Sequence, residues 1–298
     1  MNSRSADQAS LMDSEYGVSG DTVVLLLLLL VISLSISSAS VLVLLSGLSA
    51  SSAAFWRLFI ATVFLLLSRR GFVRPRNPRA LAVSTVSGVC LGLHFALWME
   101  SLFLVPVFES TLLVDTYPLL LLVMERLALG GQVRAREVVG LLSGAVFLYL
   151  FLGGPGLKLS EGDVYAMTSS LFVASYFLLG RVARSRFGLS TVEYVIPTYA
   201  TASLTALLYS LVRGSFQVID TPHKILFALL LALVPMIGGH TLMNYLLGFF
   251  KSNIVTSIVF TEPIGASILA YLVLGQVLEP YKVLLGLGVI ASVVLVWV

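Results

Sequence analysis

Ten apolar stretches, each 17 to 24 residues long, fill this chain almost end to end: approximately 22–45, 51–68, 80–103, 107–126, 137–153, 163–181, 190–212, 224–247, 254–274 and 280–298. A helix needs about 20 predominantly apolar residues to cross a bilayer, and it satisfies its own backbone where no water can. The pattern therefore specifies an all-α integral membrane protein with ten transmembrane helices. Composition agrees: 58% of the residues are hydrophobic and 11% charged, against about 25% charged in a soluble domain, and mean hydropathy is +1.01. The net charge of +3 comes largely from arginines between the apolar stretches. These read as topology signals, not as a nucleic-acid surface, and no nucleic-acid partner is expected. Cys90 is the sole cysteine, which rules out an intrachain disulfide.

The opening residues 1–21, "MNSRSADQASLMDSEYGVSGD", carry one Arg against four acids. That is the wrong charge for a signal-peptide n-region, and the apolar run behind it is too long for an h-region. The expectation is a disordered cytoplasmic tail before a retained first helix. With the amino terminus inside, the cytoplasmic segments hold thirteen basic residues: Arg4, Arg69, Arg70, Arg74, Arg76, Arg79, Arg126, Arg134, Arg136, Arg181, Arg184, Arg186 and Lys251. The opposite side holds four, Lys158, Arg213, Lys224 and Lys282, and Arg57 falls inside the second stretch. This asymmetry places both termini in the cytoplasm of a cell-membrane protein. Arg57 follows Trp56 and is expected to snorkel to the outer headgroups.

The chain also repeats itself. "GLHFALWMESLFL" (92–104) aligns with "GGHTLMNYLLGFF" (238–250) at an offset of 146, matching Gly92 to Gly238, His94 to His240 and Phe103 to Phe249. Pro118 falls opposite Pro263 at an offset of 145, and Gly140 opposite Gly286 at 146. Two units follow, 22–153 and 160–298, each of five helices. Five is odd, so the second enters the membrane from the other side, the inverted-repeat arrangement of many secondary transporters.

"AFWRLFIATVFLLL", "GLHFALWMESLFLVPVFESTLLVDTYPLLLLVMERL" and "GGHTLMNYLLGFFKSNIVTSIVFTEPIGASILAYLVLGQ", in this order within ten spans, resemble the paired repeats of EamA-type proteins in the drug/metabolite transporter superfamily. The resemblance implies a central cavity lined mainly by helices 1, 3, 4, 6, 8 and 9, with helices 5 and 10 peripheral. It also implies export of amino acids, drugs or other metabolites. One departure is Gln276, where the pattern carries a glutamate after the glycine at 275.

The residues point to the same region. An acid at mid-membrane costs roughly 2.5–3.5 kcal/mol on insertion scales, so it faces a cavity or a polar partner. Asp115 and Glu262 each lie about eight residues into their stretches, and His94 and His240 are also intramembrane. Folding each hairpin at its loop sets His94 level with about residue 116 and His240 level with about 261. The acid and histidine pairs are thus expected on either side of the midplane, as two substrate or proton stations. Trp98 and Asn244 lie one turn beyond the histidines and join Tyr117 as candidates for the path; Tyr176 and Tyr199 line it or pack. Pro118 and Pro263 cannot donate to the carbonyls of Val114 and Val259 and permit mid-span kinks, so they are the candidate hinges. Asp115 stands three residues before its proline and Glu262 one, positions about 160° apart on a helix. Ser160 with Asp163 and Ser190 with Glu193 have capping-box spacing. Gly88 with Gly92, and Gly140 with Gly144, allow close helix approach, helix 5 being the better surface for a homodimer if the chain is not a monomer.

Neither HExxH nor a pair of intramembrane aspartates is present, so an enzyme is not expected, and nothing calls for a cofactor or metal. The reading is a secondary transporter that exports a small organic solute by alternating access, with proton coupling open. A facilitative exchanger or channel, and then a membrane-embedded enzyme, are the alternatives.

Overall fold

The structure, a computed structural model, describes residues 20–68, 75–130, 134–249, 255 and 257–297. The expected tail lies outside the described residues up to residue 19, as do Arg4, Arg69, Arg70, Arg74 and Lys251 of the basic count. Among the described residues the secondary structure is entirely helical: α1 Gly20–Ser37, α2 Ala39–Leu45, α3 Ala50–Ser68, α4 Pro78–Leu102, α5 Val107–Val114, α6 Tyr117–Leu129, α7 Ala135–Phe151, α8 Glu161–Phe187, α9 Thr191–Val212, α10 Pro222–Leu231, α11 Leu242–Leu246, α12 Thr261–Leu274 and α13 Pro280–Trp297. A π-helical segment, Ala232–Thr241, joins α10 to α11, and a 3-10 turn, Ser257–Phe260, precedes α12.

Among the described residues, seven helical stretches are long and apolar enough to cross a membrane: Leu27–Leu45, Ala50–Ser68, Pro78–Leu102, Val107–Ala128, Glu161–Phe187, Thr191–Val212 and Pro222–Leu246. The other three expected spans form shorter apolar helices: α7 with 17 residues, and the stretches Ile258–Leu274 and Pro280–Leu295. Large apolar side chains cover the outside, among them Leu67 at 73% exposure, Leu127 at 83% and Leu284 at 71%, while Arg57, His94 and Asp115 are at most 7% exposed. Water would penalise such a surface and a bilayer does not. The chain is a multi-pass membrane protein.

Local chemistry starts the helices where the sequence places its signals. Ser160 Oγ accepts the Asp163 amide (3.1 Å) and the Asp163 carboxylate accepts the Ser160 amide (2.8 Å); Ser190 and Glu193 do the same for α9. Asn77 caps α4 ahead of Pro78. Gln276 Oε1 accepts the Val107 amide at 3.0 Å, so this departure from the family pattern satisfies the first turn of α5.

α4 lies between α8 and α9, α3 packs on the other flank of α9, α12 packs against α1 and α5, and α7 pairs with α13 at the edge of the bundle. Gly88 and Gly92 are what let α4 reach α9. A Cβ at Gly88 would stand 2.5 Å from the Thr198 carbonyl oxygen, and one at Gly92 would stand 2.6 Å from that of Ala202. Gly144 faces Leu119 and Ser292 of the same chain, so this part of α7 is committed to internal packing.

Candidate functional site

Among the described residues, helices are interrupted at four places that converge. Ser38 separates α1 from α2, with its hydroxyl turned back onto the Ser35 carbonyl (2.8 Å). Asp115 and Thr116 form the turn between α5 and α6. The π segment contains Pro235 and ends at His240–Thr241, and the 3-10 turn leads into Glu262. The expected kinks are therefore breaks. Each proline stands in the first turn of the helix after its break, Pro118 in α6 and Pro263 in α12, where its missing N–H has no intrahelical partner to lose.

A cavity of about 30 Å³ lies among these breaks, room for about two waters at ~10–15 Å³ each. It is lined by Ile36 and Ala39 at the α1–α2 break, Arg57 of α3, and His94, Phe95 and Trp98 of α4. The rest of its wall is Thr111, Val114, Asp115 and Tyr117 at the α5–α6 break, Val173 and Phe177 of α8, and His240, Met243, Val259 and Glu262. These are the six helices implied by the resemblance, joined by helix 2 through Arg57.

Phe95 is the hub. Arg57 Cζ sits 4.1 Å above its ring, the His94 ring is 4.7 Å away and the His240 ring 5.1 Å. Trp98 lies parallel to His94 at 6.2 Å, and Tyr117 is stacked on Phe177 at 5.2 Å. His94 and His240 are 6.4 Å apart. The two levels expected on either side of the midplane are thus one chamber, because the breaks turn both acids inward. A continuous helix would have set the two acid positions about 160° apart.

Two further expectations are corrected. Arg57 does not snorkel; it is the eighth residue of α3 and 1% exposed. Asn244 does not line the cavity: its Nδ2 donates to the Tyr176 hydroxyl (2.5 Å) and to the His240 carbonyl (2.7 Å), bracing the π segment from behind. Tyr199 does similar work through Thr241 Oγ1 at 3.1 Å.

Ser169 of α8 orients His94. Its hydroxyl donates to the His94 carbonyl (2.9 Å), so the 2.8 Å contact from His94 Nδ1 must be Nδ1–H donating to Ser169 Oγ. In the neutral ring that tautomer leaves Nε2 as an acceptor. Arg57 Nε and Nη1, Trp98 Nε1, Tyr117 Oη, His240 Nδ1 and Asp115 Oδ2 are all buried without a hydrogen-bond partner in the protein, and all belong to residues lining the cavity. Such groups are expensive in a low-dielectric interior, so their convergence marks a place built to engage something polar. Among the described residues no three His, Cys, Asp or Glu side chains are grouped to hold a metal ion.

Fold and site together define a polytopic membrane protein built around a polar intramembrane chamber. The model of the EamA-like transporter family matches residues 21–153 and again 160–298. A curated relative from Archaeoglobus fulgidus, described as an uncharacterized transporter, is 25% identical over 169 residues, covering 57% of this chain and 59% of the relative. A solved crystal structure, described only as that of a protein, superposes with a TM-score of 0.66 at 18% identity, covering 91% of this chain and 96% of the other, and shows the shared fold. The chain belongs to the EamA-like transporter family. The family is one of transporters, and the relative, of whose length the match spans 59%, carries the same description.

Proposed function

We propose that the protein is a secondary transporter of ten membrane-spanning helices, arranged as inverted repeats over 22–153 and 160–298, that exports a small organic solute across the cell membrane by alternating access. Both termini lie in the cytoplasm in this reading. The observation that carries it is the convergence of six buried, unpartnered polar atoms on one chamber at the helix breaks. In this reading the chamber, with room for about two waters, is a contracted state of the cycle, and the breaks at Asp115 and before Glu262 supply the joints that open it to either side. His94, Trp98, Asp115, Tyr117, His240 and Glu262 meet the solute together with Arg57. Asn244 supports His240, and Pro118 and Pro263 mark the hinges.

The test begins with unfolding temperatures of the purified protein against amino acids, nucleobases and cationic drugs, since a ligand present at 100 times its Kd adds about 2.7 kcal/mol of stability. Compounds that stabilise the protein are then followed into reconstituted vesicles. The reading expects saturable flux with counterflow, and stabilisation that disappears in Trp98→Ala and His240→Ala. Flux linear in the gradient would favour a channel, and stabilisation untouched by both substitutions would place the ligand elsewhere.

A further inference from the structure

Arg57 has no counterpart in the two-station scheme, yet it lines the chamber and is 1% exposed. The charged and titratable groups facing the cavity are Arg57 from α3, His94 from α4, Asp115 and Tyr117 from the α5–α6 break, His240 from the π segment and Glu262 ahead of Pro263. The α1–α2 break and α8 contribute only Ile36, Ala39, Val173 and Phe177. Tyr176 and Tyr199 stand behind His240, each held by a hydrogen bond. With both carboxyls ionised and both histidines neutral, the chamber holds two negative charges against one guanidinium that keeps its proton. A net charge enclosed at mid-membrane is costly, and a single proton removes it.

The geometry says where that proton goes. Arg57, His94 and His240 all pack around the Phe95 ring, within 4.1, 4.7 and 5.1 Å of its centre. A second cation on either imidazole would stand beside the guanidinium, against like-charge repulsion. Among the described residues Arg57, Asp115 and Glu262 form no ion pair within bonding range, and Asp115 Oδ2 and two Arg57 nitrogens are left without partners. One guanidinium and two acids therefore line the same chamber, and none of the three is committed to an ion pair.

We propose that Arg57 is a built-in counter-cation that sets the proton complement of the chamber to one, carried between Asp115 and Glu262, so that the substrate-free carrier closes electrically neutral. The proposal rests on the reading of this chamber as the transport site. Its test needs no substrate, so that it fails or stands apart from the flux measurements that decide that reading.

The experiment is infrared spectroscopy of the full chain reconstituted in lipid at neutral pH, reading the carboxylic C=O stretch and its downshift in D2O. The Asp115→Asn/Glu262→Gln double variant is the reference that subtracts all other acids. The wild type is expected to show one protonated carboxyl. Either single variant, Asp115→Asn or Glu262→Gln, should show none, because the remaining acid then pairs with Arg57. Arg57→Gln should show about twice the wild-type intensity, both acids now needing protons, and Arg57→Lys should restore one. No carboxylic band in the wild type, loss of the band in only one of the single variants, or unchanged intensity in Arg57→Gln each overturns the proposal. Should Arg57→Gln fail to fold, the two acid variants and Arg57→Lys still decide.

Discussion

Adding one methyl group at Gly88 should damage the site without touching it. A Cβ there would lie 2.5 Å from the Thr198 carbonyl oxygen and 2.7 Å from Thr201 Cβ, whereas ordinary contact begins at 3.4 Å. The nearer obstacle is backbone, which no rotamer change can move aside. α4 and α9 must therefore separate by about 0.9 Å, the difference between 3.4 and 2.5 Å, with α9 pushed toward lipid or α4, carrying His94 and Trp98, into the chamber. Overpacking of this kind costs about 1–3 kcal/mol, or roughly 2–12 °C in unfolding temperature at ~2–4 °C per kcal/mol for a long chain. Gly92 faces the same helix one turn on, 2.6 Å from the Ala202 carbonyl, so Gly88→Ala/Gly92→Ala should lose less than the sum of its parts: the first methyl already opens the gap. The assay is thermal unfolding of the detergent-purified protein followed by tryptophan fluorescence. Gly156→Ala is the control, since nothing lies within 4 Å of its added Cβ. A Gly88→Ala protein that melts within about 1 °C of wild type would refute the close approach of α4 and α9.

Other consequences can be checked singly. Lys282 Nζ donates to Glu109 Oε2 at 2.6 Å, tying the start of α13 to the start of α5. Lys282→Met should cost about 1–3 kcal/mol, discounted for the exposure of the lysine, and the Glu109→Gln/Lys282→Met double variant should recover most of it in a denaturation cycle. Ser169→Ala removes the acceptor that fixes the His94 ring, and 15N spectra should show the single Nδ1–H tautomer replaced by a mixture; Ser169→Thr should keep the wild-type signal. Pro118→Ala supplies an N–H that has no helical partner while the Asp115–Thr116 break persists, but that can bond the Val114 carbonyl once α5 and α6 join into one helix. It should raise the unfolding temperature by a few degrees while slowing flux, a trade expected where activity uses a flexible joint; unchanged flux would remove the hinge.

How much of this the sequence shows depends on what kind of information each feature needs. The apolar stretches are one-dimensional, a matter of length and hydropathy: seven of the ten coincide with helices long enough to cross a membrane, and the other three with shorter apolar helices. The capping boxes at Ser160 and Ser190 are local and read directly. Arg57 is different, because depth and helix rotation decide its environment and hydropathy carries neither. Its neighbour Trp56 suggested an interface. The better signal was the small-residue stripe Ala50, Ala54 and Ala61, which shares the face of Arg57 at helical spacing and is buried with it. Hairpin arithmetic set the histidines level with their acids but could not know that breaks at Ser38, at Asp115 and before Glu262 gather both pairs into one chamber. A mid-span proline announces a lost hydrogen bond; whether the helix bends, breaks or widens into a π segment, as at Pro235, depends on the neighbours that satisfy the freed groups.

The central claim, that this chamber is reached alternately from the two sides of the membrane, is open to one direct measurement. Cys90 is the only native cysteine, so Cys90→Ser supplies the background and Thr111→Cys, on the cavity wall, supplies the probe. Sealed vesicles of known orientation are exposed to a membrane-impermeant thiol reagent on one side or the other while ion leak is recorded. The account predicts that the thiol is modified from either side and that no conductance accompanies it. Modification accompanied by a steady leak would contradict alternating access in favour of an open pore, and a thiol inert from both sides would reduce the chamber to a packing void.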